Sequence, residues 1–589
     1  MRKLSMLLAM LAGSAVAQQA ADAVQPEVMT PVAEAAQSPA VAAAYAAKAA
    51  GRPVEAAHWM VAAANPLAVE AGAKVLAAGG SAADALVAVQ TVLGLVEPQS
   101  SGLGGGAFLL WYDASTGALT TIDARETAPL AATPLLFLDA AGQPLKFFDA
   151  VVGGRSVGTP GTPALLEDVH RRWGRLPWAS LFDPAIGLAR EGFAVSERLN
   201  ALIAEDRDRL ASAAGTSAYF LTAEGEPLPV GYLLQNPDYA DTLALMAAGG
   251  AEAFYTGPVA ADIVRAVQGA LGNPGVLAAT DLALYEVKER APVCAVYRVY
   301  EVCGMGPPSS GGITVGQILG TLNGAPMGPA DAPETWRRIG DASRLAFADR
   351  ERFIADSDFT PVPSRGLLDP AYLAGRAALL EGGKALEDVQ PGSPEFDHAW
   401  ADGEAIELPS TSHVTIVDQY GNVAAMTASI ENVFGARLMV RGFLLNNELT
   451  DFSFRSHREG VPVANRVEPG KRPRSSMAPT VVMQDGKPVL AIGSPGGSRI
   501  IGYVARAIIA WADWGMDVQQ AVSMGHGLNR FGTFDLESGT EAEALKDGLE
   551  GLGFEVKVQD LNSGLHAIEI GAMLKGGADP RREGIALGD

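Results

Sequence analysis

The stretch "HVTIVDQYGNVAAMTAS", residues 413–429, decides the fold class of this chain. It holds two strand-like runs on either side of a Tyr-Gly-Asn turn, which is the pattern of a β-hairpin. A second hairpin is predicted in "PTVVMQDGKPVLAIGSPGG", residues 479–497, around an Asp-Gly turn. The apolar pattern "RIIGYVARAIIAWADWG", residues 499–515, predicts a helix directly after it. Hairpins that alternate with helices predict a layered α/β (α+β) sandwich.

The N-terminal half adds further strands and helices to this sandwich. Residues 58–63 form a short apolar run that predicts a strand, and residues 68–76 predict a helix that ends at a Gly-Gly pair. Ser81 is placed to cap a second helix, which is rich in Ala and Val and therefore buried. Four glycines within residues 102–106 precede the predicted strand 107–112. A phosphate-binding loop needs its glycines between a strand and a helix, so this run does not predict one. It indicates instead that backbones pack closely here.

Three stretches of the sequence differ in composition from the rest of the chain. Residues 1–17 have a basic start, a short apolar run and an Ala-Val-Ala site, which predicts a secretory signal peptide; a buried helix is the alternative. Residues 18–54 are rich in Ala, Gln and Pro, and are predicted to be a mobile leader. Residues 381–410 are acidic and rich in turn residues, and are the best candidate for a linker.

Charge and composition exclude several classes of function. The chain of 589 residues carries a formal charge of −23, so it lacks the basic surface that grips nucleic acid. After the signal peptide no run of 18 apolar residues follows, so no membrane span is predicted. A periplasmic or secreted protein is therefore expected.

The two cysteines, Cys294 and Cys303, leave two interpretations open. An oxidising compartment favours a disulfide, but one continuous strand would hold them roughly 30 Å apart. A disulfide therefore requires the chain to turn back between them. Two free thiols are an equally good interpretation.

Simple catalytic patterns are absent from the sequence. The seven histidines form no metal-ligand pair, so no metal is expected. The match "GRSVG" around Ser156 is followed by the helix breakers "TPGTP", whereas a serine-hydrolase elbow needs a helix there. We interpret it as a chance match in a loop.

Three hydroxyl residues, Ser410, Thr411 and Ser412, lie between the linker and the first hairpin. A hydroxyl in this place can attack the carbonyl before it, and hydrolysis of the resulting ester makes it a new N-terminus. Its α-amine, with a reference pKa of about 7.7–8.0, can then act as the base for its own hydroxyl. An ordinary Ser/Thr turn is the alternative interpretation.

Several motifs in order favour the catalytic interpretation. The C-terminal ones are "TSHVTIVDQYGNVAAMT" (411–427), "GFLLNNELTDFSF" (442–454), "KRPRSSMAPTVV" (471–482) and "GSPGGSRI" (493–500). The N-terminal half adds "AGGSAADALVAVQTVLGLVEPQSSGLGGGAFLL", "TIDARETAP" and "PPSSGGITVGQIL". From about residue 55 onward the chain closely resembles the γ-glutamyltransferase (glutathione hydrolase) family.

This resemblance implies an N-terminal-nucleophile hydrolase with a four-layer αββα sandwich. It implies self-cleavage between Ser410 and Thr411, with Thr411 as the catalytic nucleophile. The products would be a large subunit, residues 55–410 after the leader, and a small catalytic subunit, residues 411–589. The two subunits would stay together as one folded unit.

The resemblance also assigns roles around Thr411. Gly496 and Gly497 would form the oxyanion hole, and Ser429 would support the nucleophile in place of a family Thr. Arg125 would grip the α-carboxylate of the substrate by paired hydrogen bonds. Four further residues complete the substrate site: the hydroxyls of Ser475 and Ser476 for that carboxylate, and Glu448 and Asp451 for the α-ammonium.

Two departures from the family pattern bear on specificity. Glu431 stands where the family usually has Asn near the substrate amine, so a third carboxylate could bind the ammonium, or Asn432 could take over the role of that Asn. The segment 452–474 is shorter than in family members that have a long lid over the site, and it lacks the Tyr that such lids carry. A more open site would admit water or large acceptors.

The expected function is hydrolysis or transfer of the γ-glutamyl group of glutathione and related compounds through a γ-glutamyl-Thr411 ester. Water, or an acceptor amino acid or peptide, would take the group, without any cofactor. One alternative is a glutaryl- or cephalosporin-acylase-like amide hydrolase on the same fold. Another is a non-catalytic periplasmic binding protein that stays uncut.

Overall fold

The computed structural model describes residues 38–589 and confirms the four-layer αββα sandwich. Its two central layers are seven-stranded antiparallel sheets. In chain order their strands are β1 Val54–Ala56, β2 Met60–Ala63, β3 Gly106–Asp113, β4 Ala118–Ala124, β5 Lys288–Arg290, β6 Val293–Tyr297, β7 Tyr300–Gly304, β8 Ser412–Val417, β9 Val423–Ser429, β10 Thr480–Gln484, β11 Lys487–Gly493, β12 His566–Ile570, β13 Leu574–Ala578 and β14 Ile585–Gly588.

Both predicted hairpins lie in the middle of these sheets. Sheet I has the order β14-β2-β8-β9-β3-β4-β5, and sheet II has the order β1-β13-β12-β11-β10-β7-β6. In sheet I, β8 pairs with β9 from Ser412 opposite Ala428 to Val417 opposite Val423. In sheet II, β10 pairs with β11. Every residue of β8 and β9 is buried, because helices cover one face of sheet I and sheet II covers the other.

The outer layers are helical. The α-helices are Pro39–Ala49, Pro66–Ala77, Ala82–Val96, Phe147–Val151, Thr162–Trp173, Asp183–Glu191, Glu197–Glu205, Arg207–Leu210, Ala214–Phe220, Pro237–Gly249, Glu252–Tyr255, Gly257–Gln268, Ala279–Ala283, Gly311–Leu322, Pro333–Phe353, Ser364–Leu367, Pro370–Ala378, Ile500–Ala512, Val518–Ser523 and Lys546–Leu552. Short 3₁₀ helices occur at Gly154–Ser156, Trp178–Phe182, Leu379–Glu381, Glu448–Asp451, Gly497–Arg499 and Glu541–Leu545. Small peripheral sheets use Phe193–Ala194 with Leu233–Leu234, Met439–Val440 with Phe443–Leu444, His457–Arg458 with Val461–Pro462, and Gly527–Asn529 with Thr533–Glu537 and Glu555–Gln559.

Local sequence signals explain why the helical layer over sheet I forms. Ser81 caps the helix Ala82–Val96 as predicted, in a reciprocal capping box with Asp84. The helix is buried along its whole length and packs on β8 and β9. The glycine run before β3 also has the predicted role, since a side chain at Gly105 would collide with the backbone of Ser429. These glycines therefore let the start of β3 approach the end of β9.

The predicted mobile leader needs a correction in the part that the structure describes. Pro39–Ala49 is a helix capped by Ser38, with Val41 and Tyr45 buried. The Tyr45 hydroxyl donates to the carbonyl of Glu583 at 2.8 Å, and Lys48 Nζ donates to the carbonyl of Gly584 at 2.7 Å. These long-range contacts, which composition does not reveal, fix the helix. The predicted signal peptide and the rest of the leader lie outside the described residues.

The predicted linker connects the large and small segments without regular structure. Residues 382–411 form no helix or strand. The linker is covered towards its end, where Glu407, Leu408 and Ser410 are buried. None of the helices within residues 38–589 is both long enough and apolar enough to cross a bilayer.

The structure resolves the open question of the cysteines in favour of a disulfide. β6 and β7 form a hairpin that places Cys294 opposite Cys303, and the two are bonded. The chain reverses over Tyr297–Tyr300, where Arg298 adopts a positive φ of 56°. This turn has no Gly, Asn or Pro, so the sequence carried little signal for it.

We expect the paired substitution Cys294→Ser and Cys303→Ser to lower thermal stability without affecting the centre of the sandwich. A disulfide that closes so short a loop contributes on the order of 2–3 kcal/mol. Thermal melting of the oxidised protein and the double variant measures the difference. Equal melting temperatures for the two proteins would contradict a stabilising disulfide.

Candidate active site

Thr411 lies immediately before β8, at the point where the linker enters sheet I. Its Oγ1 is 3.1 Å from Oγ of Ser429, the last residue of the neighbouring β9. Its backbone has a φ of 110°, which is strained for a β-branched residue. Arg582 donates to the Thr411 carbonyl at 3.3 Å. The nucleophile predicted from the sequence is thus buried, strained and paired with the predicted supporting hydroxyl.

Ser410 is held on both its side chain and its carbonyl. Ser410 Oγ donates to the carbonyl of Gln99 at 2.9 Å. The Ser410 carbonyl accepts a hydrogen bond from the backbone N–H of Gly496 at 3.4 Å. The carbonyl before Thr411 therefore points at one of the two predicted oxyanion-hole glycines.

The two glycines lie between β11 and the helix Ile500–Ala512. Gly496 has a φ of 134° and Gly497 a φ of 56°, and both values favour glycine. A side chain at Gly497 would also contact the carbonyl of Leu408 at 2.8 Å. Sheet II thus brings this glycine turn against the end of the linker.

Arg125, at the end of β4, is paired with the carboxylates predicted to bind an ammonium. Its Nη1 donates to Glu448 and its Nη2 to Asp451. The other side-chain hydrogen bonds of Arg125 go to the Pro473 carbonyl at 3.2 Å and to the Arg474 carbonyl at 2.8 Å. The positive and negative corners of the predicted substrate site are therefore in contact with each other.

Burial opposes ionisation of the acidic corner, whereas the Arg125 guanidinium that pairs with Glu448 and Asp451 favours it. Burial raises the pKa of Glu448, and it raises the pKa of both Asp451 and Glu126 well above their ordinary range. Burial, with Glu448 nearby, also raises the pKa of Glu431 to about 8. At neutral pH Glu431 is thus mostly uncharged, like the Asn that it replaces in the family pattern.

Glu431 contacts both the site and the linker. It accepts hydrogen bonds from the side chain of Asn447 and from the Leu408 backbone N–H, the latter at 3.3 Å. Asn432 is buried but does not line the cavity beside Thr411.

Ser475 and Ser476 also line the cavity beside Thr411. Ser476 Oγ accepts a hydrogen bond from Nη2 of Arg350 at 2.6 Å, and the same Nη2 donates to Glu407. Arg350 lies on the helix Pro333–Phe353, far away in sequence, and Glu407 lies in the linker. Neither residue was predicted as part of the site, because a buried Arg in a helix and an acidic residue in an acidic linker carry no local signal.

The predicted residues converge on one small cavity of about 20 Å³. It is lined by Arg125, Glu407, Leu408, Thr411, Ser429, Glu431, Glu448, Asp451, Ser475, Ser476, Met477, Gly497 and Ile500. Ser410 and Gly496 are not among these residues, but they are hydrogen-bonded to each other and each is adjacent in sequence to a lining residue.

The other sequence candidates do not join this site. Ser156 is buried, and its hydroxyl donates to the Val151 carbonyl at 2.6 Å, as expected of a structural loop residue. Within residues 38–589, no group of three or more His, Cys, Asp or Glu side chains is arranged to hold a metal ion.

We expect Glu431→Gln to change the pH dependence of stability, measured in a Thr411→Ala background that removes the predicted self-cleavage. The folded carboxyl holds its proton up to about pH 8, whereas the unfolded one releases it near its ordinary pKa of 4.5. Glu431 therefore costs increasing stability as the pH rises from about 4.5 to 8. As the pH rises through this range, the melting temperature of the Gln variant should therefore increase relative to that of its parent.

Glu395→Gln, at an exposed linker carboxylate, is the matched control and should show a constant offset. Melting curves at several pH values between 5 and 8.5 supply the comparison. A constant difference for Glu431→Gln over this range would show that its carboxyl is not perturbed.

Comparison with known proteins gives a consistent result over most of the chain. Residues 68–589 match the family model described as Gamma-glutamyltranspeptidase. A glutathione hydrolase proenzyme of Bacillus subtilis (strain 168) is 36% identical, covering 90% of this chain and 91% of the relative. An acylase ACY 1 proenzyme of Pseudomonas sp. (strain SE83) is 34% identical, covering 86% and 88%. The crystal structure of a cephalosporin acylase from Bacillus halodurans superposes with a TM-score of 0.82 over 96% of this chain and 99% of that one, at 24% identity, which supports the shared fold.

Proposed function

Because the chain belongs to the gamma-glutamyltranspeptidase family, we propose that it is a self-processing γ-glutamyl hydrolase and transferase with Thr411 as nucleophile. Cleavage of the Ser410–Thr411 bond gives a large subunit that ends at Ser410 and a small subunit of residues 411–589. Sheet I takes β2 and β3 from the first and β8 and β9 from the second. The two subunits therefore remain one folded unit.

The hydrogen bond from Gly496 to the Ser410 carbonyl is the observation that carries this proposal. Thr411 Oγ1 adds to the Ser410 carbonyl carbon, and the Gly496 N–H stabilises the charge that develops on the oxygen. The peptide C–N bond breaks and the hydroxyl proton passes to the departing nitrogen, which leaves an ester that water hydrolyses. The strained backbone of Thr411 favours this step, since such conformations cost about 1–3 kcal/mol.

The free α-amine of Thr411 then serves as the base in turnover. It takes the proton of Oγ1 as that oxygen attacks the γ-carbonyl of the substrate. The N–H groups of Gly496 and Gly497 bind the oxyanion, and Ser429 orients the nucleophile. The amine product leaves with the proton, and water or the amine of an acceptor amino acid or peptide cleaves the γ-glutamyl-Thr411 ester. The short segment 452–474 suits access by both.

The ion pairs of Arg125 support a zwitterionic substrate head. An incoming α-carboxylate can replace Glu448 or Asp451 as a partner of Arg125, beside Ser475 and Ser476. The α-ammonium can then pair with the carboxylate that was released. This exchange keeps every buried charge next to an opposite charge, and an unpaired buried charge would be strongly unfavourable. The γ-glutamyl compound glutathione has such a head.

A second candidate function is hydrolysis of glutaryl amides, favoured by the 34% identity to an acylase proenzyme. A glutaryl group has the carboxylate but no ammonium. It would displace Glu448 or Asp451 from Arg125 and leave that carboxylate buried without a counter-charge. The acidic corner therefore favours the γ-glutamyl group.

We expect the native protein to hydrolyse a γ-glutamyl anilide at least tenfold better than a glutaryl anilide, measured as kcat/KM by anilide release. A charge-assisted hydrogen bond of about 1.5–3 kcal/mol corresponds to roughly a tenfold or larger effect. Asp451→Asn should raise KM for the γ-glutamyl anilide and reduce this preference. Thr411→Ala should release no anilide.

Asp485→Asn, in the exposed turn between β10 and β11, is the control and should behave like the native protein. A preference for the glutaryl anilide would instead support the acylase function. Turnover by Thr411→Ala at the native rate would exclude Thr411 as the nucleophile.

A further inference from the structure

Glu407, near the end of the linker, reaches into the candidate active cavity although it precedes the bond to be cut. Its side chain lines the cavity and is 5% exposed. Nη2 of Arg350 donates to Glu407 Oε1, and Nη2 of Arg474 lies 3.8 Å from the same oxygen. Burial opposes ionisation of Glu407, but Arg350 and Arg474 outweigh it and hold the pKa of its carboxyl below the ordinary value.

The charges around Arg350 balance only while Glu407 is present. Arg350 and Arg474 share the carboxylate of Glu351, at 2.5 Å from Arg350 Nη1 and 3.0 Å from Arg474 Nη2. Both guanidinium groups are almost completely buried. Without Glu407 this group would be two cations with one anion, and a buried unpaired charge is strongly unfavourable. Arg125, by contrast, has partners outside the linker.

The size of the cavity requires part of its lining to move before a substrate binds. Its 20 Å³ is enough for about one water molecule. Most lining residues lie on the strands or helices of the sandwich or next to them. Glu407 and Leu408 belong to the irregular linker, and cleavage after Ser410 would release the end of that segment.

We propose that Arg350 and Ser476 form a carboxylate-binding subsite of the active cavity, and that Glu407 fills it in the uncut chain in place of the substrate's carboxylate. This inference rests on the proposed function for the identity of that substrate. The same Nη2 of Arg350 donates to Ser476 Oγ and to Glu407, so a carboxylate that replaces Glu407 meets both Arg350 and Ser476. Arg350 thereby becomes a specificity-determining residue.

The first test uses uncut protein and acetate as a minimal carboxylate. Thr411→Ala is compared with the double variant Thr411→Ala/Glu407→Ala, and acetate binding is measured by titration calorimetry and by the shift in melting temperature. Sodium chloride at equal ionic strength is the salt control. We expect acetate to bind and stabilise the double variant but not its parent.

Two matched variants make this result specific. Thr411→Ala/Glu407→Gln keeps the shape of the side chain and should bind acetate more weakly than the Ala variant. Thr411→Ala/Glu395→Ala removes an exposed linker carboxylate and should behave like the parent. Equal acetate binding by all four proteins, or binding by none, would overturn the subsite.

The second test concerns the processed enzyme and the variant Arg350→Lys, which keeps the charge but loses the paired N–H geometry. We measure kcat/KM for a γ-glutamyl anilide and for its analogue with a carboxamide in place of the α-carboxylate. The native enzyme should prefer the carboxylate substrate, and Arg350→Lys should reduce that preference about tenfold. An equal loss on both substrates would show a structural role and overturn the assignment.

The two tests separate this inference from the proposed function. If the native chain stays uncut and inactive, the proposed function fails, yet the acetate comparison still decides the subsite because it needs no turnover.

Discussion

The hydrogen bond between the Gly496 N–H and the Ser410 carbonyl is the contact on which the rest of the site depends. It joins the end of the linker, which enters sheet I, to the glycine turn that follows β11 of sheet II. The bond can form only because the two sheets stack with β8 and β11 facing each other. The four-layer sandwich thus acts as the frame that brings a hydroxyl, a carbonyl and an N–H donor together.

Charge divides the buried ionic residues around the cavity into two clusters. Arg125 is surrounded by carboxylates, whereas Arg350 and Arg474 lack one anion unless Glu407 is counted. Burial makes both arrangements costly to disturb without a replacement charge. A ligand that brings one carboxylate and one ammonium meets both demands, which links the uncut structure to the class of substrate that we propose.

Local sequence patterns predicted much of the frame, whereas the family resemblance predicted most of the candidate site. The hairpins, the helix capped by Ser81 and the glycine packing before β3 all follow from signals within a few residues. The resemblance to a family identified Thr411, the two glycines and the substrate residues, because the motifs that contain them occur in the same order and at similar spacings as in that family. The structure brings most of these residues together around one cavity.

What the sequence did not reveal depends on contacts between distant segments. The helix Pro39–Ala49 is fixed by bonds to residues near the C-terminus, and the pairing of Arg125 with Glu448 and Asp451 spans more than 300 positions. The turn between Cys294 and Cys303 uses Arg298 at a positive φ, so no turn residue marked it. Glu407 and Arg350 meet only after the linker has folded back over the cavity.

In the proposed function, Thr411 becomes the N-terminus of a separate subunit. Intact mass spectrometry of the purified protein over time after expression, with N-terminal sequencing of any fragment, tests it most directly. We expect loss of the full-length chain and a C-terminal fragment that begins at Thr411 and ends at Asp589. A chain that stays whole, or a fragment that begins at Ser410 or Ser412, would contradict it.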